Sequence, residues 1–317
     1  MRELGRPVNG GLRTYGVVDG LRRRASHRLR FGGSFAFDDR RRNSDTLVTI
    51  LAGFREYLWP YTLGRLAHLM PSEVDVCLLS AGLRSPALAS IAERHGWSYL
   101  STKTRRISTV QNIAIREHEQ ADWIYKVDED VLVTEKCLEH MLAGYRRVAD
   151  EGEFRPGFVA PILNVNGYSY VPFLERLGLR DDYAKEFGGT PRACTGIPVH
   201  ADGRAAAWIW RHSVPLDEVA RRFSEQPFSY STVPHRFSTG LVLFRREFWS
   251  EMGGLRAPLE PPGRGEDEAF LCGQCVDRSQ VMVVVHNACA GHYAFARQEE
   301  TMRTMLDELS PGLELAR

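Results

Sequence analysis

From residue 45 onward, short apolar runs alternate with stretches in which apolar residues recur every three or four positions. The runs, four to six residues long and bounded by glycine, proline or polar residues, predict buried strands. In the first half of the chain these strands are Leu47–Ala52, Val74–Leu79, Trp97–Leu100 and Trp123–Val127. The helical spacings between them predict helices over Tyr57–Met70, Ser85–His95 and Ser108–Glu119. This alternation implies right-handed crossovers, so we expect an α/β, Rossmann-like fold with a mostly parallel central sheet flanked by helices.

The second half of the chain keeps the alternation on both sides of one irregular segment. Strands are predicted over Gly157–Val165, Phe237–Phe244 and Gln280–Val285, and helices over Thr134–Ala149 (with Thr134 as N-cap), Arg245–Met252, Asp267–Val276 and Thr301–Leu309. Residues 166–234 are rich in aromatic side chains but lack the alternation. They are too aromatic for a disordered linker, so we expect an insertion in which most rings pack and the others wall a binding cleft. We therefore predict an N-terminal extension (1–44) and a single domain (45–317) that contains this insertion.

Charge is balanced over the whole chain and unbalanced at its start. The 317 residues have a formal net charge of +1, which gives no global field for binding nucleic acid. Residues 1–42, however, contain eleven arginines and four acidic residues. This segment could contact anionic lipids, remain a flexible tail, or form the charged face of a short helix near residues 20–29. Because no apolar run is long enough for a membrane span or a secretory signal, we expect a cytoplasmic protein, with peripheral contact at the inner face of the membrane as an open alternative.

Three carboxylates, Asp128, Glu129 and Asp130, directly follow the fourth predicted strand. Crowded carboxylates repel each other and are costly to bury, so they need either a cation or full solvation. Oxygen ligands of this kind suit Mg²⁺ or Mn²⁺, which also bind the phosphates of a substrate. A solvated acidic turn is the simpler interpretation of the tripeptide alone, and the neighbouring loops decide between the two.

The loops after the first four strands would meet at one edge of a parallel sheet, where such folds bind ligands. Those loops supply a hydroxyl and several cations: Arg55, Ser80, Lys103, Arg105 and Arg106. Cations beside an acidic cluster indicate a phosphorylated ligand. The first strand is followed by neither a Walker loop nor Gly-x-Gly-x-x-Gly, so metal and side chains would have to hold a diphosphate.

A second metal hypothesis comes from cysteine spacing. Cys272-x₂-Cys275-x₁₃-Cys289-x₂-His292 has a spacing that a structural zinc site could use. Against it, Cys272 and Cys275 lie within one predicted helix among apolar residues. Buried, reduced thiols are the favoured interpretation.

At this point several motifs together resemble the nucleotide-sugar glycosyltransferases of the GT-A fold, in a family-2-like, non-processive form. The resemblance covers roughly residues 46–300, and its motifs are Asp128-Glu-Asp130, Val110-Gln-Asn112, Phe237–Phe244 with Met252-Gly-Gly254, Gly265-Glu266-Asp267, and the late His292. Two strand ends depart from the family pattern: Ala52-Gly-Phe-Arg-Glu56 replaces Pro-x-Tyr-Asn, and Ser80-Ala-Gly82 lacks the usual Asp. The chain also lacks the Gln-x-x-Arg-Trp motif of processive synthases.

The resemblance implies a donor, a cofactor and a set of roles. The donor would be a nucleoside-diphosphate sugar, and the acceptor a glycan, a lipid-linked sugar or a small molecule. Asp130, Asp128 and His292 would hold Mn²⁺ or Mg²⁺, and Asp267, or less readily Glu266, would serve as catalytic base. Donor contacts would come from Ala52, Gly53, Arg55, Ser80, Lys103, Arg105, Arg106, Asn112, Asp128 and Glu129. A sugar-phosphate nucleotidyltransferase and a non-catalytic, zinc-stabilised nucleotide- or sugar-binding module remain as alternatives.

Overall fold

The computed structural model describes His27 and residues 30–256, 266–293 and 296–315, with Glu266 and Ala296 described by their backbone alone. The helix considered near residues 20–29, apart from His27, and Gly265 of the Gly265-Glu266-Asp267 motif therefore lie outside the described residues. No helix within the described ranges is long and apolar enough to cross a membrane.

Ten strands of the described chain form one sheet. They are β1 Phe35–Asp38, β2 Thr46–Leu51, β3 Asp75–Ala81, β4 Ser98–Thr102, β5 Trp123–Asp128, β6 Val131–Val133, β7 Pro156–Leu163, β8 Tyr230–Val233, β9 Leu241–Arg245 and β10 Val281–His292. Their order is β1-β4-β3-β2-β5-β9-β7-β10-β6, with β8 also paired to β10. Strands β2, β3, β4, β5, β7 and β10 run in one direction, and β1, β6, β8 and β9 run in the other. The predicted α/β class with a mostly parallel central sheet is confirmed.

Helices cover both faces of this sheet. Their bounds are α1 Trp59–Leu69, α2 Pro86–His95, α3 Ile107–Glu117, α4 Cys137–Glu151, α5 Tyr170–Leu177, α6 Arg180–Phe187, α7 Pro198–Ala201, α8 Gly203–Arg211, α9 Leu216–Ser224, α10 Arg246–Glu251, α11 Glu266–Asp277, α12 Glu299–Thr304 and α13 Leu306–Leu313. Short 3₁₀ turns at Glu56–Leu58 and Ala296–Gln298 precede α1 and α12. Residues 166–234 contain α5 to α9 and β8.

Two hydrophobic cores lie on opposite faces of the sheet because successive strand residues point in opposite directions. In β2, Leu47 and Leu51 belong to the core formed with α3 and the helices of residues 166–234. Val48 and Ile50 belong to the other core, formed with α1, α2 and α4. Both faces of the strand are therefore apolar, which explains why the central strands appear in the sequence as uninterrupted apolar runs.

Four predictions of local structure were wrong. Thr134 does not cap α4, because its hydroxyl donates to the carbonyl of Cys289 and the helix starts three residues later. The strand predicted over Phe237–Phe244 starts only at Leu241. The C-terminal helix is two helices, α12 and α13.

The fourth error concerns the end of β10, which continues past Val285 to His292 through a break in its pairing with β7 between Val285 and Cys289.

The extension predicted as residues 1–44 also contains a strand of the sheet, since β1 pairs antiparallel with β4. Pairing with a distant edge strand, rather than any local apolar period, accounts for β1.

Candidate active site

A cleft of about 850 Å³ opens at the carboxyl ends of β2, β5 and β10. Six of the predicted site residues line it: Arg55, Asp128, Glu129, Asp130, Asp267 and His292. Residues 194–196, His200 and Ala201 form part of another wall, and Arg297 and Glu299 border it from the C-terminal segment. The cleft therefore lies where a parallel sheet is expected to bind a ligand.

Glu129, the middle carboxylate, is a structural anchor. It is 3% exposed, and its carboxylate accepts hydrogen bonds from the backbone N–H groups of Gly53 and Phe54, both at 2.9 Å, and from the indole of Trp59 at 2.8 Å. These three bonds tie the end of β5 to the loop after β2. The Glu129 and Gly53 groups predicted to contact a donor are therefore used within the protein.

Asp130 and His292 are brought together by strand pairing. β6 pairs antiparallel with the end of β10, with Val131 opposite His292, so Asp130 lies beside the histidine. Asp130 Oδ1 is 3.6 Å from His292 Nε2, and Asp130 Oδ2 is 3.2 Å from Arg55. Burial would raise the pKa of Asp130, but His292 and Arg55 outweigh burial and that pKa lies below its ordinary value.

Lys126 is a site residue that the sequence analysis missed. Its ammonium group is 2.9 Å from Asp128 Oδ1 and 3.5 Å from Asp267 Oδ2, and it donates to the carbonyl of Thr239 at 3.1 Å. Burial lowers the pKa of a lysine, but the two carboxylates outweigh burial and raise the pKa of Lys126. A lysine within the apolar strand Trp123–Asp128, two positions before Asp128 and so on the same face, was the available signal.

The ion pair with Lys126 places Asp128 and Asp267 on one side of the cleft. Burial raises the pKa of Asp128 to about 6. The nearby carboxylates of Asp130 and Asp267 also raise this pKa, whereas Lys126 lowers it. Asp267 lies in the first turn of α11 with 23% of its side chain exposed. It therefore faces the cleft from an element remote in sequence from β5.

Glu268, next to Asp267, also lines the cleft and was not predicted. Its carboxylate pairs with the guanidinium of Arg236 at 2.7 Å. Burial raises the pKa of Glu268, while Arg236 opposes that effect. Two of the three acidic residues at the start of α11, Asp267 and Glu268, thus line the cleft. The third, Glu266, is described by its backbone alone.

Several predicted donor contacts do not line the cleft. Ala52 and Ser80 are buried, and the Ser80 hydroxyl is bonded to the carbonyl of Leu83 and the hydroxyl of Tyr99. Lys103 and Arg105 are exposed on the loop after β4, and Arg106 contacts Thr104. Of the predicted cations, Arg55 lines the cleft, and two arginines that were not predicted, Arg236 and Arg297, line it as well.

The side chain of Asn112 is also hydrogen-bonded within the protein, beside the predicted Met252-Gly-Gly254 motif. Its amide donates to the carbonyls of Arg30 and Leu255, and its oxygen accepts from the indole of Trp249 and the N–H of Leu255. It lies beneath Gly254, which has φ +82° and where a Cβ would be 3.0 Å from the Asn112 oxygen. Asn112 therefore fixes the Gly-Gly turn that precedes α11.

Asp130 and His292 have the chemistry to share a divalent cation. Nδ1 of His292 lies 3.1 Å from the carbonyl of Val165, which can only accept, so Nδ1 carries a proton, and Nε2, which is directed at Asp130, is the nitrogen that would bind an ion in its unprotonated form. Adjacent octahedral ligands of Mg²⁺ are about 3 Å apart, close to the observed separation, and the remaining positions suit water and phosphate oxygens. The donor set fits the implied ion.

Within the described ranges, no three or more His, Cys, Asp or Glu side chains are arranged as a metal-binding group. The protein therefore presents two metal donors here, with Asp128 held by Lys126. The same finding does not support the zinc alternative, since Cys272, Cys275 and Cys289 are buried free thiols.

Comparison with known proteins finds likenesses among solved structures. The chain matches no family model and no curated protein. Among solved structures it is similar to the mannosyltransferase PcManGT from Pyrobaculum calidifontis in complex with GDP-Man and Mn²⁺, at 12% sequence identity and a TM-score of 0.46. The match covers 96% of this chain and 73% of that one.

Proposed function

We propose that the protein is a metal-dependent, non-processive glycosyltransferase that moves a sugar from a nucleoside-diphosphate sugar to an acceptor hydroxyl with inversion. The observation that carries the proposal is the meeting, in one cleft at the carboxyl edge of the sheet, of two separate groups. One is the Asp130–His292 donor pair, and the other is the Asp267 carboxylate, which comes from a helix remote in sequence.

The donor end of the cleft is assigned to Asp130 and its neighbours. Asp130 and His292 would hold the divalent ion, which when bound offsets the negative charge that develops on the leaving diphosphate. Arg55 and Arg297 line the same region and can bind phosphate oxygens. Asp128, when ionised, can accept hydrogen bonds from the ribose hydroxyls.

Asp267 is assigned as the base that accepts the proton of the acceptor hydroxyl as this hydroxyl attacks the anomeric carbon. Lys126 fixes the Asp267 carboxylate from the interior, which leaves its exposed side toward the cleft. Glu268 is a weaker candidate because Arg236 occupies its carboxylate. Glu266 remains the second choice for the base.

The acceptor is assigned to the wall formed by residues 194–196, His200, Ala201 and the Arg236–Glu268 pair. A guanidinium beside a carboxylate offers both hydrogen-bond donors and acceptors, as sugar hydroxyls require. A glycan, a lipid-linked sugar and a small hydroxylated molecule all satisfy this chemistry.

Donor binding is tested by thermal unfolding of the full chain with UDP, GDP, CDP, ADP and dTDP, each with and without Mn²⁺. A nucleotide at 100 times its Kd should stabilise the fold by about 2.7 kcal/mol, which raises Tm by several degrees. We expect one nucleotide to do so in the presence of Mn²⁺. If none does, the transferase assignment is wrong.

Catalysis is tested by Asp267→Asn, with Asp277→Asn on the exposed end of the same helix as the matched control. Asp267→Asn should keep nucleotide binding and lose at least about 100-fold in transfer rate, as expected for removal of a general base. Asp277→Asn should leave both unchanged. Turnover retained by Asp267→Asn would exclude Asp267 as the base.

A further inference from the structure

Arg55 contacts two carboxylates that line the cleft, those of Asp130 and Glu299. Its terminal nitrogen is 3.2 Å from Asp130 Oδ2, and its Nε is 3.6 Å from Glu299 Oε1. The Arg55 side chain is 21% exposed, against 5% for Asp130 and 40% for Glu299. The guanidinium therefore sits at the boundary between the buried donor pair and the open cleft.

The two oxygens of Asp130 have different partners. Oδ1 faces His292 Nε2, the side on which a divalent ion would bind, and Oδ2 faces Arg55. A divalent ion on Oδ1 would lie within a few ångströms of the guanidinium and would draw on the same carboxylate charge. Two cations that share one carboxylate repel each other, so ion binding weakens the Arg55–Asp130 pair.

The donor diphosphate would be a second binding partner for Arg55. A guanidinium forms bidentate hydrogen bonds with phosphate oxygens, and the diphosphate assigned to this cleft would lie next to Asp130. Contact with Glu299 keeps the side chain at the cleft while its terminal nitrogens change partner. Asp130 would then face a cation both before and after the ion enters, and the diphosphate would offset the added positive charge.

We propose that Arg55 occupies Asp130 as a substitute cation and transfers to the donor diphosphate when a divalent ion binds at Asp130 and His292. This inference rests on the proposed donor site. It makes Arg55 a competitor of the metal in the absence of nucleotide and a ligand of the nucleotide in the presence of metal. No residue with only a structural role has these two opposite effects.

The test measures both affinities in Arg55→Gln. Mn²⁺ alone, titrated by electron paramagnetic resonance of the free ion, should bind the variant roughly tenfold more tightly than wild type because a nearby positive charge is gone. The nucleoside diphosphate that stabilises wild type, titrated calorimetrically at saturating Mn²⁺, should bind the variant roughly tenfold more weakly. Arg303→Gln, which removes an exposed arginine stacked on Tyr57, is the matched control and should change neither affinity.

The outcomes separate this inference from the proposed function. Mn²⁺ binding by Arg55→Gln that is unchanged or weaker overturns the exchange, whatever the nucleotide does. Failure of every nucleoside diphosphate to bind wild type with Mn²⁺ overturns the donor site itself. If Arg55→Gln does not fold, Arg55→Met, which also lacks the positive charge, tests the same signs. Tighter Mn²⁺ binding with weaker nucleotide binding by that variant supports the exchange, and any other result overturns it.

Discussion

Replacing Lys126 by methionine would remove the ammonium group that joins the two halves of the candidate site while keeping most of the side-chain volume. Lys126 is 5% exposed and contacts Asp128 at 2.9 Å and Asp267 at 3.5 Å. Without it, both carboxylates would lose the buried ammonium that offsets their charge beside Asp130. The carbonyl of Thr239 would also lose its donor.

The expected loss of stability follows from the two carboxylates, Asp128 and Asp267, that the substitution leaves without their ammonium partner. Breaking a buried ion pair by removing one partner typically costs 3–5 kcal/mol, because the other charge remains buried. Asp128 and Asp267 keep 32% and 23% exposure, so water can partly solvate them. We therefore expect a loss near the lower limit, about 3 kcal/mol in the free energy of unfolding at pH 8.

A double-mutant cycle with Asp128→Asn measures the pair itself. In the Asp128→Asn background, Lys126→Met leaves only the Asp267 carboxylate without its ammonium partner. The substitution should therefore lower the free energy of unfolding by about 1–2 kcal/mol less than it does in wild type. Urea unfolding of the four proteins at pH 8 gives the coupling. Additivity of the two substitutions within about 0.3 kcal/mol would refute the reasoning, because it would show that Lys126 and Asp128 do not interact.

Three further predictions concern residues that the structure assigns to the framework. Glu129→Gln should lower the free energy of unfolding by about 3 kcal/mol, since an amide cannot accept all three hydrogen bonds, whereas Trp59→Phe, which removes one donor, should cost less in the same urea assay. Asn112→Ala should cost about 2–4 kcal/mol by the loss of four hydrogen bonds, three of them buried, and wild-type stability would rule out its role under the Gly-Gly turn. Burial lowers the pKa of His286 from 6.5 to about 4, so below pH 6.5 the unfolded chain takes up a proton that the folded protein does not. Stability should therefore fall from pH 7 to pH 5, by about 2 kcal/mol from this residue. His286→Gln should remove that part of the slope in urea unfolding at the two pH values, and an identical slope would contradict the assignment.

Much of the framework follows from local pattern. The apolar runs that became β2, β3, β4 and β5 are buried on both faces, and such runs stay legible in a sequence because no polar residue interrupts them. Their parallel direction follows from the helices between them. Once those strands were predicted, Asp128 and Asp130 had to lie at the carboxyl edge of the sheet. β1 and the full length of β10 could not be predicted, because pairing with distant strands, rather than local period, creates them.

Within the candidate site, the sequence indicated which residue types are present but not which residues they contact. The acidic tripeptide was visible in the sequence, but its middle member turned inward to the loop after β2 while its last member met His292 through the register of β6 and β10. Asn112, predicted as a donor contact, is hydrogen-bonded to Leu255 beside the Gly-Gly turn. Nothing local distinguishes these outcomes, since each depends on a residue more than 70 positions away.

The sequence by itself determined the fold class and the edge of the sheet at which Asp128 and Asp130 lie, because the periodicity of apolar residues is a local property that burial imposes directly. Only the tertiary structure decided that Lys126 joins Asp128 to Asp267 and that Arg55 shares Asp130 with His292. Those pairings arise where segments remote in sequence converge, and the cost of burying an unpaired charge selects which side chains meet there.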